Sequence, residues 1–247
     1  MLFSLLAIPQ EWITVAFLAF DLIAVLVVAI ITYRWFFKRF SDIFLSGFCL
    51  ILLSPLFLIL TIAGKIAVKK NKLSSVLQFK TYVGKKKKTI RVYTFCHTDE
   101  NGKESKYGKF LYNSGFYKLP LLAMVFTGKL SFIGPLAMTP TDAYFLDEDE
   151  EARLQIRPGI IQPMVISHKK NPSYEDMFQN DEKYIHTFSF GKDFKIFHAW
   201  LIKKIRGHGK SYLGEAEKIS YAEILLSDER ISQEDFDNAQ KLFIDQK

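Results

Sequence analysis

The sequence is poor in the residues that build disulfide scaffolds and metal centres. It has two cysteines in 247 residues, Cys49 in an apolar run and Cys96 in a predicted strand. A disulfide framework is therefore not expected, and a cytoplasmic face is favoured. The five histidines show no metal-ligand spacing and no carboxylate set joins them, so we predict no metal site. The sequence contains no internal repeat and no RNA- or DNA-binding motif, and nucleic acid is not an expected partner.

What the sequence does contain is an apolar surplus concentrated in its first third. Hydrophobic residues make up 49% of the chain, and residues 13–32 and 43–64 form two long apolar segments. A helix that spans a bilayer needs about 20 mostly apolar residues, so both segments are long enough to enter a membrane. The bilayer is therefore a predicted partner.

Basic residues suggest how the first segment is oriented. None precedes residue 13, whereas Arg34, Lys38 and Arg39 follow the segment. The positive-inside rule places such a cluster in the cytoplasm and the N-terminus outside.

The second segment has basic residues on both flanks, so both of its ends favour the cytoplasm. Ser54-Pro55 lies in its middle, and proline inside a helix favours a kink or a break. We predict a re-entrant helix-break-helix that dips into one leaflet, with Ser54 satisfying backbone groups freed by the break. A Pro-kinked spanning helix, with the rest of the chain outside, is the alternative.

The net charge of +7 comes largely from clusters beside the apolar segments. Lys69 and Lys70 follow the second segment, and residues 85–88 are four consecutive lysines. Such clusters are attracted to anionic lipid surfaces by about 1 kcal/mol per basic residue. Lys69 and Lys70 are candidate lipid or phosphate contacts. The lysine run over 85–88 either contacts the lipid surface or is simply a solvated run of charge.

The remainder of the chain predicts an α+β fold, a compact cytoplasmic α/β domain. Its predicted elements are a β-hairpin over 76–95, short helices over 106–112 and 119–126, an apolar turn or strand over 130–134, an extended segment over 156–166, a helix over 192–206, and a capped C-terminal helix after Ser232. The predicted domains are an N-terminal transmembrane helix (1–36), a re-entrant hairpin (37–66), the soluble domain (67–209) and a helical appendage (210–247). The appendage either packs back on the domain or docks a partner.

Residues 37–206 contain a set of short motifs in a fixed order. The motifs are Lys38-Arg39-x-x-Asp42 with Ser54-Pro55, Val83-Gly84, Lys106-Tyr107-Gly108-Lys109-Phe110-Leu111, Leu119-Pro120, Gly128, Ser131, Gly134-Pro135, Arg153, Arg157-Pro158-Gly159-Ile160, Asp181-x-x-Tyr184 and Asp193-Phe194-Lys195-Ile196. This ordered set resembles the bacterial sugar transferases, the monotopic polyprenyl-phosphate phosphoglycosyl transferases. The resemblance implies that Lys38, Arg39, Asp42, Ser54 and Pro55 belong to a membrane anchor, and that Arg153 and Arg157 are candidate phosphate or lipid contacts.

The resemblance also implies an adjacent Asp-Glu pair directly before Leu119-Pro120. In the family that Asp attacks a UDP-sugar and forms a phosphosugar-enzyme, from which polyprenyl phosphate takes the sugar phosphate, with Mg²⁺ as cofactor. Here the two positions hold Tyr117 and Lys118. Further polar positions of the family pattern are replaced by Lys80, Tyr82, Cys96, Leu121, Met124, Lys129 and Leu136.

Three functions are compatible with this pattern. The first is a catalytically inactive structural or regulatory subunit of a cell-envelope complex at the bacterial inner membrane, with a protein partner and no cofactor. The second is an active phosphoglycosyl transferase that uses Mg²⁺ in polysaccharide biosynthesis, with Tyr117 as nucleophile. The third is a module that binds polyprenyl phosphate or anionic lipid.

Overall fold

The computed structural model describes residues 10–32, 36–70, 73–99, 101–167, 169, 171–206, 213 and 219–244. The N-terminus before Gln10, together with Arg34 and Lys72 of the charge pattern, lies outside the described residues. Parts of the two predicted terminal domains, 1–36 and 210–247, lie outside them as well.

The first helix, α1, runs over Gln10–Thr32. Its window Glu11–Val28 is long and apolar enough to cross a membrane, and none of that window is buried against the rest of the protein. A helix with so much exposed apolar surface needs a cover other than water, which agrees with the predicted N-terminal transmembrane helix.

The second apolar segment forms two helices, α2 (Lys38–Leu52) and α3 (Ser54–Lys69), which are bent by 63° at the break between them. Pro55 lies in the first turn of α3, where a missing backbone N–H costs least. The Ser54 hydroxyl donates to the Ile51 carbonyl at 2.8 Å. The predicted helix-break-helix and the predicted role of Ser54 at the break are both confirmed.

Both arms of this bent pair contact the same domain. On α2, the buried Asp42 accepts a hydrogen bond from Ser131 Oγ at 2.8 Å. On α3, the Leu60 carbonyl accepts a hydrogen bond from the Tyr107 hydroxyl at 2.7 Å. The arms have 15 and 16 residues, so each is only about 23 Å long, against about 30 Å for the hydrocarbon core. The bent pair is compatible both with the predicted re-entrant hairpin and with a broken span, so the re-entrant topology stays a prediction.

Two small sheets organise the soluble part. Strands β1 (Leu77–Val83) and β2 (Thr89–Phe95) are antiparallel, with Leu77 opposite Phe95, and they confirm the predicted hairpin. Strands β3 (Ser131–Ile133) and β4 (Gly159–Ile161) pair in parallel. The prediction of extended chain over 156–166 is correct only in part, because a 3-10 turn begins at Pro163. Proline has no N–H for a sheet ladder and favours the first turn of a helix.

The remaining helices surround these sheets. They are α4 (Lys106–Ser114), α5 (Pro120–Phe126), α6 (Pro140–Tyr144), α7 (Glu148–Glu151), α8 (Tyr174–Thr187), α9 (Phe190–Ile205), α10 (Tyr221–Ser227) and α11 (Gln233–Ile244). The predicted helices over 106–112, 119–126 and 192–206 correspond to α4, α5 and α9, and the mixed composition confirms the α+β class. No sequence pattern used above predicted α6, α7 or α8.

The C-terminal helices pack back onto the domain. Tyr221 and Leu225 of α10 are buried in a core cluster that also contains Tyr174 and Phe178. The backbone N–H of Ala222 donates to Asp142 Oδ1 at 3.0 Å. Of the two readings of the appendage, the structure therefore shows packing for α10. The boundary at residue 210 stays a prediction.

Candidate functional site

Tyr117 and Lys118 lie in a 3-10 turn, Phe116–Lys118, that joins α4 to α5. Gly115 ends α4 with a left-handed φ of 78°, a conformation that glycine adopts without strain. Pro120 begins α5. The turn is thus fixed at both ends, and it holds the two side chains at the junction of two helices.

The Tyr117 ring belongs to an aromatic cluster. Its centroid is 5.5 Å from that of Tyr112, with the rings 22° from parallel, and 5.5 Å from that of His97. Lys118 Nζ lies 5.4 Å from the Tyr117 centroid, within the range of a cation-π contact. The side chain at the family's nucleophile position is therefore held by packing.

A cavity of about 450 Å³ opens beside this turn. Most of its wall is apolar, and it reaches from Leu53, at the break of the bent pair, to Trp200 on α9. Lys118 and Lys204 supply positive charge. Of the described residues that line the cavity, none is Asp or Glu.

Apolar side chains fill the face of α5 where the family pattern is polar. Leu121 and Met124 are 8% and 5% exposed, and they belong to a cluster against which the hairpin residues Ile90 and Val92 pack. The backbone N–H of Tyr93 donates to Met124 Sδ at 3.3 Å. The β1–β2 hairpin packs directly on α5, so the face of α5 that carries Leu121 and Met124 is part of the hydrophobic core.

The other positions at which the family's polar residues are replaced lie partly in the core and partly at the surface. Cys96 is 1% exposed and is hydrogen-bonded to Ser74 Oγ at 3.3 Å. Leu136 packs against the core cluster beneath α10. Lys80 and Lys129 are exposed. Tyr82 is half-buried, and its pKa is raised by burial, then by nearby Asp142 and Tyr117.

The residues around Tyr117 do not fit the Mg²⁺ that the family resemblance implies. Mg²⁺ takes hard oxygen ligands, carboxylates above all, and the described residues that line the cavity include no carboxylate. The charge of Asp142 acts on Tyr82, so Asp142 is the nearby carboxylate to consider as a ligand. Its Oδ1 already accepts from the Ala222 N–H, and its Oδ2 accepts from the Thr139 hydroxyl at 2.7 Å. Within the described ranges, no three His, Cys, Asp or Glu side chains are grouped to hold a metal.

The first turn of α2 clamps the bent pair to the domain. Lys38 Nζ donates to Asp193 Oδ2 at 2.6 Å and to the Tyr184 hydroxyl at 2.8 Å. Arg39 donates at 2.6 Å to the carbonyls of Val125 and Phe126, at the C-terminus of α5, where cations are favoured. Lys38 and Arg39 therefore attach the start of α2 to the domain, and their role in a membrane anchor stays a prediction.

The Asp42 carboxylate completes this clamp. Its second oxygen accepts from the Phe132 N–H at 3.1 Å, next to the bond from Ser131. The sequence motif identifies Lys38, Arg39 and Asp42. It gives no indication of their hydrogen-bond partners in the domain.

The four candidate phosphate or lipid contacts lie in different surroundings. Arg157 donates from Nε to the Gly128 carbonyl at 2.7 Å and lines a small cavity beside the clamp. Arg153 is 3% exposed and pairs with Asp181 at 2.6 Å, so it lies inside the core. Lys69 and Lys70 are exposed at the end of α3. A phosphate or lipid role for these residues stays a prediction.

Comparison with known proteins adds to this geometry. The family model for bacterial sugar transferases matches residues 33–207. The chain is 27% identical over 188 residues to the UDP-glucose:undecaprenyl-phosphate glucose-1-phosphate transferase of Klebsiella pneumoniae, covering 68% of this chain and 40% of that protein. It is 28% identical over 171 residues to the uncharacterized sugar transferase EpsL of Bacillus subtilis (strain 168), covering 64% of this chain and 82% of that protein. This chain thus spans less than half the length of its Klebsiella relative, and it belongs to the bacterial sugar transferase family.

Proposed function

We propose that this protein is a membrane-anchored sugar transferase homologue that does not transfer sugar phosphate. It acts as a structural or regulatory subunit of a cell-envelope complex. The proposal places its domain on the cytoplasmic side of the bacterial inner membrane and its N-terminus outside. The observation that carries it is the aromatic packing of Tyr117, at the position where the family's nucleophilic carboxylate is expected.

The chemistry of the two side chains supports this proposal. The nucleophile that the family resemblance implies is a carboxylate, which is anionic at neutral pH without a general base. An ordinary tyrosine has a pKa of about 10 and is protonated there. The neighbouring position carries Lys118 in place of a second carboxylate, and so the pair lacks both the negative nucleophile and its partner.

The packing of α5 supports it independently. Leu121 and Met124 are buried against the hairpin, where the family pattern has polar side chains. Restoring a nucleophile alone would leave these apolar groups in place. Because orientation of reactants accounts for roughly 7–11 kcal/mol of barrier lowering, a nucleophile without a matching binding site contributes little.

The test is transfer from a panel of UDP-sugars to undecaprenyl phosphate in detergent, with and without Mg²⁺. The proteins compared are the native chain, Tyr117→Phe and the double variant Tyr117→Asp/Lys118→Glu, with the Klebsiella relative as positive control. We expect no product from any form of this chain. Sustained product from the native protein that disappears in Tyr117→Phe would identify Tyr117 as the nucleophile and overturn the proposal.

A protein partner follows from the subunit role. Purification in mild detergent should recover a second membrane protein in fixed ratio to this chain. Recovery of this chain alone, from cells that express it at its natural level, would count against the subunit role.

The cavity beside Tyr117 favours lipid binding as a second candidate function. A mostly apolar wall with Lys118 and Lys204 suits a long hydrocarbon chain that ends in a phosphate, such as polyprenyl phosphate. Native mass spectrometry would measure retention of undecaprenyl phosphate by the native chain and by Lys204→Ala. Lys195→Ala, an exposed lysine of α9 that does not line the cavity, is the matched control. Equal retention by the two variants would exclude this mode of binding.

A further inference from the structure

A second, smaller cavity lies where the first turn of α2 meets the domain. Its volume is about 70 Å³, and four cationic side chains line it: Lys38, Arg39, Lys85 and Arg157. They come from three separate parts of the chain, so the fold itself gathers the charge. The cavity belongs neither to the Tyr117 turn nor to the larger cavity, with which it shares no lining residue.

Carboxylates compensate only part of this charge. Lys38 pairs with Asp193 at 2.6 Å. Asp42 also lines the cavity, but its oxygens accept from Ser131 and from the Phe132 N–H. Within the described part of the chain, no Asp or Glu lies at ion-pair distance from Lys85 or Arg157. Among the described residues, these two positive charges thus have no carboxylate partner.

The two cations without a described carboxylate partner, Lys85 and Arg157, line the same small cavity. Arg157 is oriented by its bond to the Gly128 carbonyl, and Lys85 is half-buried at the start of the hairpin turn. The pKa of Lys85 is lowered by burial first, and then by the positive charges of Arg157 and Lys86. Like charges that line one cavity repel each other, and a bound anion would relieve the repulsion.

The size and the donor set indicate which anion fits. A water molecule occupies about 30 Å³ of liquid volume, so the cavity has room for a few waters or for one compact tetrahedral group. Arginine and lysine together are the usual ligands of phosphate, since guanidinium matches its oxygens and ammonium adds charge.

The position of the cavity brings it to the membrane surface. Lys38 and Arg39 begin α2, whose following residues Phe40, Phe44 and Phe48 are 55%, 68% and 58% exposed. An exposed aromatic stripe on this helix belongs in the acyl region, and basic residues at its start then lie at the level of lipid headgroups.

The geometry points to a phosphate-binding site formed by Lys85 and Arg157 with Arg39 at the membrane edge of the domain. Its ligand is a phosphate group, supplied either by an anionic lipid headgroup or by a free phosphate. The site acts independently of whether the chain transfers sugar.

The lipid source is tested with the full chain purified from nanodiscs of phosphatidylcholine that contain a minor fraction of phosphatidylglycerol. Native mass spectrometry counts the phosphatidylglycerol retained by the native protein, Lys85→Ala and Lys88→Ala. Lys88 is exposed in the same turn and does not line the cavity, so both variants lose the same charge. We expect Lys85→Ala to retain about fivefold less, the equivalent of about 1 kcal/mol per basic residue, and Lys88→Ala to match the native protein.

The soluble source is tested in nanodiscs of phosphatidylcholine alone, with inorganic phosphate as the probe. If free phosphate is the ligand, phosphate raises the unfolding temperature of the native protein and of Lys88→Ala but not of Lys85→Ala, and no phosphatidylglycerol is retained in the first experiment. If the headgroup is the ligand, the variants differ in the first experiment and phosphate leaves the unfolding temperatures unchanged. Indistinguishable behaviour of Lys85→Ala and Lys88→Ala in both experiments would overturn the assignment.

Discussion

At the scale of single residues, the ion pair between Arg153 and Asp181 is the most deeply buried among the described residues, with side chains 2% and 4% exposed. The guanidinium lies 4.6 Å from the centroid of the Phe178 ring. Its Nε and Nη1 are buried and have no hydrogen-bond partner within the described chain. Such a pair contributes little net stability, but removing one partner leaves an uncompensated buried charge.

Arg153→Met should therefore lower the free energy of unfolding by about 3–5 kcal/mol. Arg230→Met is the control, because the Arg230–Glu175 pair is 54% and 58% exposed and exposed pairs contribute under about 1 kcal/mol. Adding Asp181→Leu to Arg153→Met should recover part of the loss. The measurement is denaturant unfolding in detergent, and equal losses in Arg153→Met and Arg230→Met would contradict the prediction.

Asp181 also predicts a pH dependence. Burial raises the pKa of its carboxyl from 3.8 to about 6, although Arg153 opposes the shift. Because the folded-state pKa is above the unfolded one, its contribution to stability is fully present below about pH 4 and is lost as the pH rises to about 6. The unfolding temperature of the native protein should therefore fall relative to that of Asp181→Asn over this interval. Parallel curves for the two proteins would show that the carboxyl does not titrate in this range.

Single residues also show how far sequence reasoning reaches at the site. The replacement of the Asp-Glu pair by Tyr117 and Lys118 is visible from the motif alone. The stacking of Tyr117 on Tyr112 and His97 is not, because it depends on how β2 is placed against α4. Likewise, Arg153 and Arg157 look alike in sequence, and only the fold separates a core arginine from one at a cavity.

At the scale of elements, the break in the bent pair can be tested through Pro55. Leucine at this position would supply an N–H to the Ile51 carbonyl, which now accepts from the Ser54 hydroxyl. In a continuous helix over both arms Pro55 would be an interior residue and would cost about 3 kcal/mol. Pro55→Leu removes that cost, so it should straighten the pair and shift some molecules towards a spanning topology.

Thiol labelling by a membrane-impermeant reagent measures this shift. In a Cys49→Ser/Cys96→Ser background, Gln10→Cys should be labelled from outside and Lys70→Cys should be protected. Adding Pro55→Leu should expose part of the Lys70→Cys population. An unchanged pattern would mean that the contacts of Asp42 and Leu60 with the domain, rather than the proline, hold the hairpin. External labelling of Lys70→Cys without the Pro55 change would refute the re-entrant topology.

Elements with a strong local signal were predictable. The bent pair has Ser54-Pro55, and α11 follows a Ser232-x-x-Asp235 cap in which Asp235 N–H donates to Ser232 Oγ at 3.1 Å. The longest helix that was missed, α8, carries the same signal, since Ser173 and Asp176 form a capping box at its start. The short helices α6 and α7 also begin at capping boxes, but with 5 and 4 residues they are too short to show periodicity. The β3–β4 pair is equally short, and tertiary packing decides all of these elements.

At the scale of the whole molecule, the C-terminal helices complete the core. Tyr221 and Leu225 are each 3% exposed, and burying one such side chain contributes about 1.5–3 kcal/mol. A chain that ends before Ser220 should therefore aggregate or lose protease resistance in detergent. Leu242→Ser, at a side chain that is 52% exposed, should leave both properties unchanged. A monodisperse, protease-resistant truncated chain would show that the appendage is dispensable for folding.

The clamp at the start of α2 also has a consequence for the order in which the protein is made. Ser131, the partner of Asp42, lies 89 residues further along the chain, and Asp193, the partner of Lys38, lies 155 residues further. During synthesis the apolar hairpin leaves the ribosome long before these partners exist, so its polar first turn must remain at the membrane surface unpaired. Docking of the α2–α3 pair onto the domain is therefore a late step that follows translation of α9. A ribosome stalled before residue 193 should hold a nascent chain whose hairpin is more accessible than that of the finished protein.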